Sequence, residues 1–506
     1  MFSQSASEKN LMQRCNMTTD SSIQNFEEFK LSENILKGVK EAGFKLPSPI
    51  QQQAIPVVLE RRDVIARAQT GTGKTAAFGL PTMSNIDGRK GVEILVIVPT
   101  RELASQVSEE LFRLGRFAGV KTAAVYGGQS IGKQVEMVSR GAQVVVATPG
   151  RLLDHLKSKR FRNFNPAMVI LDEADEMLDM GFMEDIEKIF SFLPPDRQTL
   201  LFSATMPPAI RKLAAKVLKD PVAIDVTPKN SSTNVDIDQR YCVMSERERE
   251  EALVRIIDTE SPSKAIVFCR TKKEADALST TLISRGYAAK ALHGDMDQRA
   301  REVAMNSFRK GNIDFLIATD VAARGIDISD VSHVFNYHIP FDPQSYIHRI
   351  GRTGRAGQKG IAITLATPLE FKELSRIMKV SGAPMTFSEI PSIKEVKEKH
   401  VNLLLTQLEE QLVFEEAAQL IAQIGNEKEL LADIACRAIS ALMEKKQTSG
   451  PERIGLGTKE VDRLMIRSRS DSSSRHGKPR SGWQKGRPAH RGARSSGPSS
   501  PRRGHK

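Results

Sequence analysis

A chain of 506 residues, 40% apolar and 27% charged, has ordinary globular composition and, at about 100 to 200 residues per domain, room for two to four domains with real cores. Its 74 Lys and Arg stand against 61 Asp and Glu, a net charge of +13, and residues 451–506 account for +11 of it with 15 bases and 4 acids. A peptide, a fibrous chain and a disulfide scaffold are excluded, because the four cysteines Cys15, Cys242, Cys269 and Cys436 lie far apart and form no CxxC pair, which also leaves zinc without support.

Residues 1–20 (MFSQSASEKNLMQRCNMTTD) lack the apolar stretch of a secretory signal and are expected to be disordered. No apolar run approaches the roughly 20 residues needed to cross a bilayer, so a cytoplasmic location with no membrane partner is expected. From about residue 62 the runs DVIARA, ILVIVPT, TAAVYGG, QVVVATPG, AMVILDEAD and QTLLFSAT alternate with helical stretches, which predicts parallel βα units and a first α/β domain over residues 21–227. The polar stretch PKNSSTNVDID predicts a linker, taken as residues 228–244. The alternation restarts with KAIVFC, AAKALHG, DFLIATD, HVFNYHIP and GIAITLAT, a second α/β domain over residues 245–376.

Over residues 391–446, Leu404, Leu408 and Leu412, then Leu431, Ile434, Ala438 and Leu442, recur at helical spacing on either side of Gly425-Asn426. A small helical hairpin is expected, either as an appendage packed on the second domain or as a self-association surface, since a hairpin this short rarely buries both faces alone. Residues 447–506 are dominated by Ser, Arg, Gly and Pro; from Ser472 onward there are ten bases and no acid. A disordered basic tail is expected there, either solubilising or binding RNA with Trp483 as a stacking platform.

Chemistry concentrates at two places in the first half. Ala68-Gln-Thr-Gly-Thr-Gly-Lys-Thr75 follows an apolar run and precedes a helical stretch. Backbone N–H groups and a helix N-terminus there can cradle phosphates, Gly71 and Gly73 permit close approach, Lys74 reaches β/γ oxygens and Thr75 suits magnesium. About a hundred residues on, Asp172-Glu173-Ala174-Asp175 ends the apolar run AMVIL. Asp172 at that position can hold magnesium through water, and Glu173 can deprotonate an attacking water.

With further motifs in order, the chain resembles a DEAD-box ATP-dependent RNA helicase over roughly Phe26 to Thr367. They are Phe26 with Gly43-Phe44 and Pro47-Ser-Pro-Ile-Gln51, Pro99-Thr-Arg-Glu-Leu103, Gly127-Gly128, Thr148-Pro-Gly-Arg151, Ser203-Ala-Thr205, His293-Gly-Asp-Met with Gln298 and Arg301, Ala318 to Asp327, and His348-Arg-Ile-Gly-Arg-Thr-Gly-Arg355. The resemblance implies two tandem RecA-like domains with parallel sheets, then the helical extension and the tail. ATP and Mg2+ are implied as cofactors and RNA as partner. The implied nucleotide-binding residues are Phe26, Gln51, Gly71, Thr72, Gly73, Lys74, Thr75 and Asp327, with Phe26 either stacked on adenine or a core aromatic. Gln51 can accept from the adenine N6 amine and donate to N7, which favours ATP over GTP.

The same resemblance implies Arg352 and Arg355 as arginine fingers from the second half, completing a catalytic set with Lys74, Asp172 and Glu173. RNA contacts are implied for Thr100, Arg101, Gly128, Thr148, Arg151, Gly294, Arg301 and Thr319, and coupling roles for Asp175, Ser203, Thr205, Arg324 and His348. Sites divided between two halves imply that closure on RNA and ATP accompanies hydrolysis and local unwinding of short duplexes. The rival readings are a nucleotide-controlled RNA clamp and a DNA helicase. The segment KEVKEKHVNLLLTQLEEQL is similar to the dimerisation region of bacterial cold-shock DEAD-box helicases, whose folded C-terminal RNA-recognition domain is not expected here. A homodimer through residues 391–446 and ribosome-assembly or RNA-decay proteins are the further partners this likeness suggests.

Overall fold

A computed structural model describes residues 23–68, 71–88, 91–161, 164–226, 237–323, 328, 331–354, 358–381, 384–424, 428–444 and 450–473. Two seven-stranded sheets dominate it. The first holds β1 (Val64–Arg67), β2 (Val92–Ile97), β3 (Thr122–Val125), β4 (Val144–Ala147), β5 (Phe164–Leu171), β6 (Gln198–Ser203) and β7 (Val222–Asp225), in the order β3-β4-β2-β5-β6-β1-β7. The second holds β8 (Ile237–Val243), β9 (Ala265–Cys269), β10 (Ala289–Leu292), β11 (Phe315–Thr319), β12 (His333–Asn336), β13 (Gly360–Ala366) and β14 (Met385–Phe387), in the order β10-β11-β9-β12-β13-β8-β14. Counted from its own first strand, the second sheet repeats the strand order of the first, and all described pairings in both are parallel.

Parallel strands are covered on both faces, which is why their sequences are continuous apolar runs. The pleat then sorts neighbours into separate cores. Ile94 and Val96 of β2 join Val144 and Val146 of β4 on one face, packed under the Pro49–Leu59, Lys74–Ser84 and Arg101–Gly115 helices. Leu95 and Ile97 join Val145 and Ala147 on the other, with Leu171, Ile186 and Ile210.

The domain boundaries differ from expectation in three places. Residues 237–243, expected in a linker, form β8, which sits between β13 and β14 inside the second sheet. The sequence IDQRYCV hides this because Gln239 and Arg240 are polar; Gln239 is nonetheless buried and accepts a hydrogen bond from Tyr346 Oη at 3.0 Å, while Arg240 pairs with Asp238 and Glu260. The sheet also continues past residue 376, through the Phe371–Ser381 helix to β14. The expected hairpin is three helices, Ile393–Glu410, Glu415–Ile424 and Lys428–Glu444, and the predicted break at Gly425-Asn426 lies outside the described residues.

The third difference is the start of the tail. Residues 450–466 are not an independent tail but pack back on the second domain. Ile454 joins the core beside Ile390, and Val461 packs against Phe371 and Leu374 from the Thr458–Ser473 helix. The backbone is fixed too: Leu456 N donates to Val243 O at 2.8 Å, and the wholly buried Arg255 donates to the carbonyls of Pro451 and Glu452. Glu452 O in turn accepts from Ile393 N at 3.1 Å, so this strap pins the root of the helical arm. The expectations for residues 1–20 and 474–506, Trp483 included, lie outside the described residues.

Candidate active site

The Lys74–Ser84 helix begins where β1 ends, after a turn through Gly71 and Gly73, whose φ values of 83° and 88° are left-handed. A Cβ on Gly73 would lie 2.4 Å from Gln51 Nε2, so the position demands glycine for space as well as for backbone. Gln51 reaches the loop because Ser48 and Gln51 form a capping box on the Pro49–Leu59 helix: Ser48 N donates to Gln51 Oε1 at 2.9 Å. From that box Gln51 Nε2 donates to Gly73 O at 3.1 Å, and Ser48 Oγ donates to Thr72 O at 2.7 Å. The expected adenine reader is thus also a brace for the phosphate loop. Phe26 is 5% exposed with its ring against Phe29 and Phe44.

Lys74 is buried, and among the described residues its Nζ makes no hydrogen bond; Asp172 Oδ1 is 3.7 Å away. Burial opposes its charge, but Asp172, Glu173 and Asp175 outweigh that and hold its pKa above the ordinary lysine value. A buried ammonium without a hydrogen-bonded acceptor is costly unless a ligand supplies one, and phosphate oxygens fit. Asp172 and Glu173 follow β5 directly, with Glu173 N donating to Asp172 Oδ1 at 2.9 Å. Burial pushes Asp172 upward against the pull of Lys74. Burial likewise pushes Glu173 up to about 7, against Lys74 and against Arg352, whose charge reaches it from the second half. Glu173 has a φ of 52°, a strained left-handed backbone for a residue with a Cβ. Thr75 is half-buried one residue beyond Lys74.

Because β6 lies between β5 and β1, its carboxyl end meets the acidic turn. Asp175 Oδ2 accepts from Thr205 N and Thr205 Oγ1, both at 2.9 Å, Asp175 N donates to Ser203 Oγ at 3.2 Å, and Ser203 Oγ donates to Thr205 O. The Nδ1 of His348 pairs with Glu176, the residue after Asp175. Burial works against the imidazolium, but the hydrogen bond and charge of Glu176 outweigh it and raise the pKa of His348.

The expected RNA residues gather at the strand ends of both sheets. The Arg101 guanidinium lies over the Gly127-Gly128 backbone, so close that a Cβ on Gly128 would fall 2.6 Å from it. Thr100 caps the Arg101–Gly115 helix, accepting from Leu103 N. Thr148 precedes the Pro149–Lys157 helix and donates its N–H to Val125 O, and Arg151 Nη1 donates to Gln129 O at 3.2 Å. Gly294 follows β10 and the buried Thr319 ends β11. Arg301 departs from expectation: its Nε donates to Glu102 Oε1 of the first half at 2.7 Å, and the same guanidinium donates to the carbonyls of His293 and Ala322. Its hydrogen bonds go to Glu102 across the halves and to two carbonyls of its own half. Arg324, Asp327 and Arg355 lie outside the described residues.

Glu102 and Glu176, the two acids that reach across, were not singled out from the sequence. The one available signal was position: Glu102 sits inside PTREL, and Glu176 directly follows DEAD. Which distant base each would meet depends on tertiary placement.

Residues 48–213 match the family model described as DEAD/DEAH box helicase, and residues 248–357 match the helicase conserved C-terminal domain. The DEAD-box ATP-dependent RNA helicase RhpA of Helicobacter pylori (strain B128) is 52% identical over 440 residues, 87% of each chain. The chain belongs to the DEAD-box ATP-dependent RNA helicases. CshA of Bacillus cereus is 47% identical over 385 residues, 76% of this chain and 73% of the relative. The structure of S. cerevisiae Dbp5 bound to RNA and ADP BeF3 aligns with a TM-score of 0.67 at 36% identity, covering 74% of this chain and 99% of that one. Mss116 bound to ssRNA and UDP-BeF aligns at 0.66 with 31% identity, over 74% and 82% of the two chains. This helicase therefore has tandem RecA-like domains, uses ATP and acts on RNA. No helix among its described residues is long and apolar enough to cross a membrane.

Proposed function

We propose that this helicase couples ATP and RNA through closure of its two halves, and that the closed state separates short duplexes locally. The observation that carries the reading is that the nucleotide site draws on both halves. Glu173 feels the charge of Arg352, and the pairs His348–Glu176 and Arg301–Glu102 join the same two halves on either side. The likeness to Dbp5 in its RNA-bound and nucleotide-bound form supports this arrangement as the closed one.

In this reading Gly71, Thr72, Gly73 and Lys74 hold the phosphates, Gln51 the adenine edge beside Phe26, and Asp327 the ribose. Glu173 takes the proton of the attacking water, while Lys74, Arg352 and Arg355 meet the negative charge spreading over the transferred group. Thr75 and Asp172 would hold Mg2+: a hydroxyl and one buried carboxylate beside the phosphates suit an ion that takes few protein ligands. When bound, Mg2+ neutralises charge on the β and γ oxygens. Asp175, Ser203 and Thr205 carry the state of that site to the interface, with Arg324 and His348 on the other side of it. Thr100, Arg101, Gly128, Thr148, Arg151, Gly294 and Thr319 lie where one strand can cross both halves, and Arg301 serves this surface by fixing Glu102. Contacts to sugar and phosphate predict RNA over DNA, read through the 2′-hydroxyl, with little sequence preference.

The domains of this reading are residues 23–226 and 237–387, the second extended by the strap at 450–466. On the arm, Leu412, Val413 and Phe414 are 82%, 79% and 68% exposed, which supports self-association there; light scattering on chains ending at Ile390 and at Ser473 should give a monomer and a dimer. Arg352→Ala tests the central reading. It should remove RNA-stimulated hydrolysis while nucleotide still binds; hydrolysis at the wild-type rate would defeat it.

A further inference from the structure

The three loops of the first half that the preceding reading brings to RNA are tied together beneath the surface, at Tyr126. This residue follows β3 and is buried, directly before Gly127-Gly128. Its hydroxyl accepts from Ser105 Oγ at 3.0 Å, on the helix that begins at Arg101, and from Gln129 Nε2 in the glycine loop. Its carbonyl accepts from Gln134 Nε2 at 2.7 Å. Gln134 Oε1 lies 3.0 Å from His155 Nε2, on the helix that carries Arg151. Gln134 and His155 are both 0% exposed.

The direction of this chain is forced. A carbonyl only accepts, so the Gln134 amide nitrogen must face Tyr126 and its oxygen must face His155. His155 Nε2 therefore carries the proton and donates. The ring is neutral: burial, helped by the positive charges of Arg151 and Arg160, pulls its pKa down to about 4. It stacks on Phe161 at 4.4 Å between centroids, and among the described residues its Nδ1 has no hydrogen-bond partner. Gln134→Met would leave the Tyr126 carbonyl without this donor, and His155→Leu would leave Gln134 Oε1 without one. Each member of the relay therefore depends on the next, because buried polar groups are costly to leave unsatisfied. Both of its ends stop at segments carrying expected RNA contacts, the carbonyl before Gly127 and the helix that begins after Thr148.

We propose that Tyr126, Gln134 and His155 are positioning residues for RNA: a buried relay that holds the loops of Arg101, Gly128 and Arg151 at the spacing of one RNA backbone. None of the three touches the strand. They fix the separation of groups that do, so binding RNA costs less ordering than it would with loops free to move apart. The proposal rests on the reading that those loops meet RNA, and it is specific to RNA because the relay ends before the nucleotide loop.

The test is RNA-stimulated ATP hydrolysis by the full chain, titrated with single-stranded RNA and separately with ATP, for wild type, His155→Leu, Gln134→Met and His155→Gln. In His155→Leu and Gln134→Met the RNA concentration at half-saturation should rise about tenfold, equivalent to about 1.4 kcal/mol. The rate at saturating RNA and the half-saturating ATP should stay within about twofold of wild type, a split that general loosening of the domain would not give. His155→Gln offers an amide N–H near the position of Nε2 and should recover most of the RNA affinity. The relay is overturned if the variants titrate with RNA as wild type does, if rate and ATP dependence fall along with RNA affinity, or if His155→Gln is as weak as His155→Leu. Should His155→Leu not fold, Gln134→Met and His155→Gln decide the matter by the same criteria. A wild-type enzyme that does not respond to RNA would overturn the underlying reading instead, and with it the relay.

Discussion

At the residue scale, the site depends on a few buried charges whose protonation burial would otherwise reverse. Glu173→Gln keeps the shape of the turn after β5 and removes the base, so hydrolysis should fall by about 10²- to 10⁴-fold while ATP and RNA still bind together; a gel-shift with an ATP analogue beside a phosphate-release assay separates the two. His348 gives the pH dependence. Its pKa is raised in the structure because Glu176 holds the imidazolium against burial. The pair is therefore intact below the ordinary imidazole value of about 6.5 and is lost as pH rises through the higher value that the structure gives His348. RNA affinity measured with a non-hydrolysable ATP analogue should decline with rising pH across that range, and His348→Gln should flatten the decline. An equally steep decline in His348→Gln would assign the titration elsewhere.

At the element scale, the sheets were legible and their edges were not. Runs such as ILVIVPT and KAIVFC announce strands buried on both faces, and every β-run named from the sequence corresponds to a strand. The exceptions are instructive. β8 breaks its apolar run at Asp238, Gln239 and Arg240, and the buried Gln239 finds its partner Tyr346 more than a hundred residues away, which local patterning does not reveal. The strap was missed because Ile454, Leu456, Val461, Leu464 and Met465 lie in a stretch rich in Gly and charge, whose composition resembles the tail that follows. The glycine turn before Lys74 and the acidic turn after β5 were legible as turns because their signals are confined to a few consecutive residues, whereas the partners of Glu102 and Glu176 lie in the other half. The strap makes a prediction. A chain ending at Gln447 should lose on the order of 2–4 kcal/mol of second-domain stability, since Arg255 loses buried carbonyl partners and Ile390 loses its cover. A chain ending at Ser473 should keep it. Thermal unfolding compares them, and equal melting temperatures would mean the strap contributes nothing.

At the scale of the whole molecule, one strand order is repeated in two parallel sheets, and open α/β sheets bind ligands beyond the carboxyl ends of their strands. In the proposed reading each half offers part of the nucleotide site and part of the RNA surface; the pairs Glu102–Arg301 and Glu176–His348 tie the halves together. Glu102→Gln removes the charge that Arg301 meets. It should weaken RNA binding in the presence of an ATP analogue by several-fold and leave ATP affinity without RNA unchanged, as fluorescence titration would show. A loss of ATP affinity without RNA would contradict this assignment. By linkage, whatever RNA adds to nucleotide affinity, nucleotide must add to RNA affinity.

The most direct measurement is the distance between the halves, read by single-molecule energy transfer between one dye on each domain after Cys15 and the exposed Cys436 have been replaced. With RNA alone or an ATP analogue alone the separation should stay broad and long, and with both it should collapse to one short, narrow population. The same distribution under all three conditions would contradict the account.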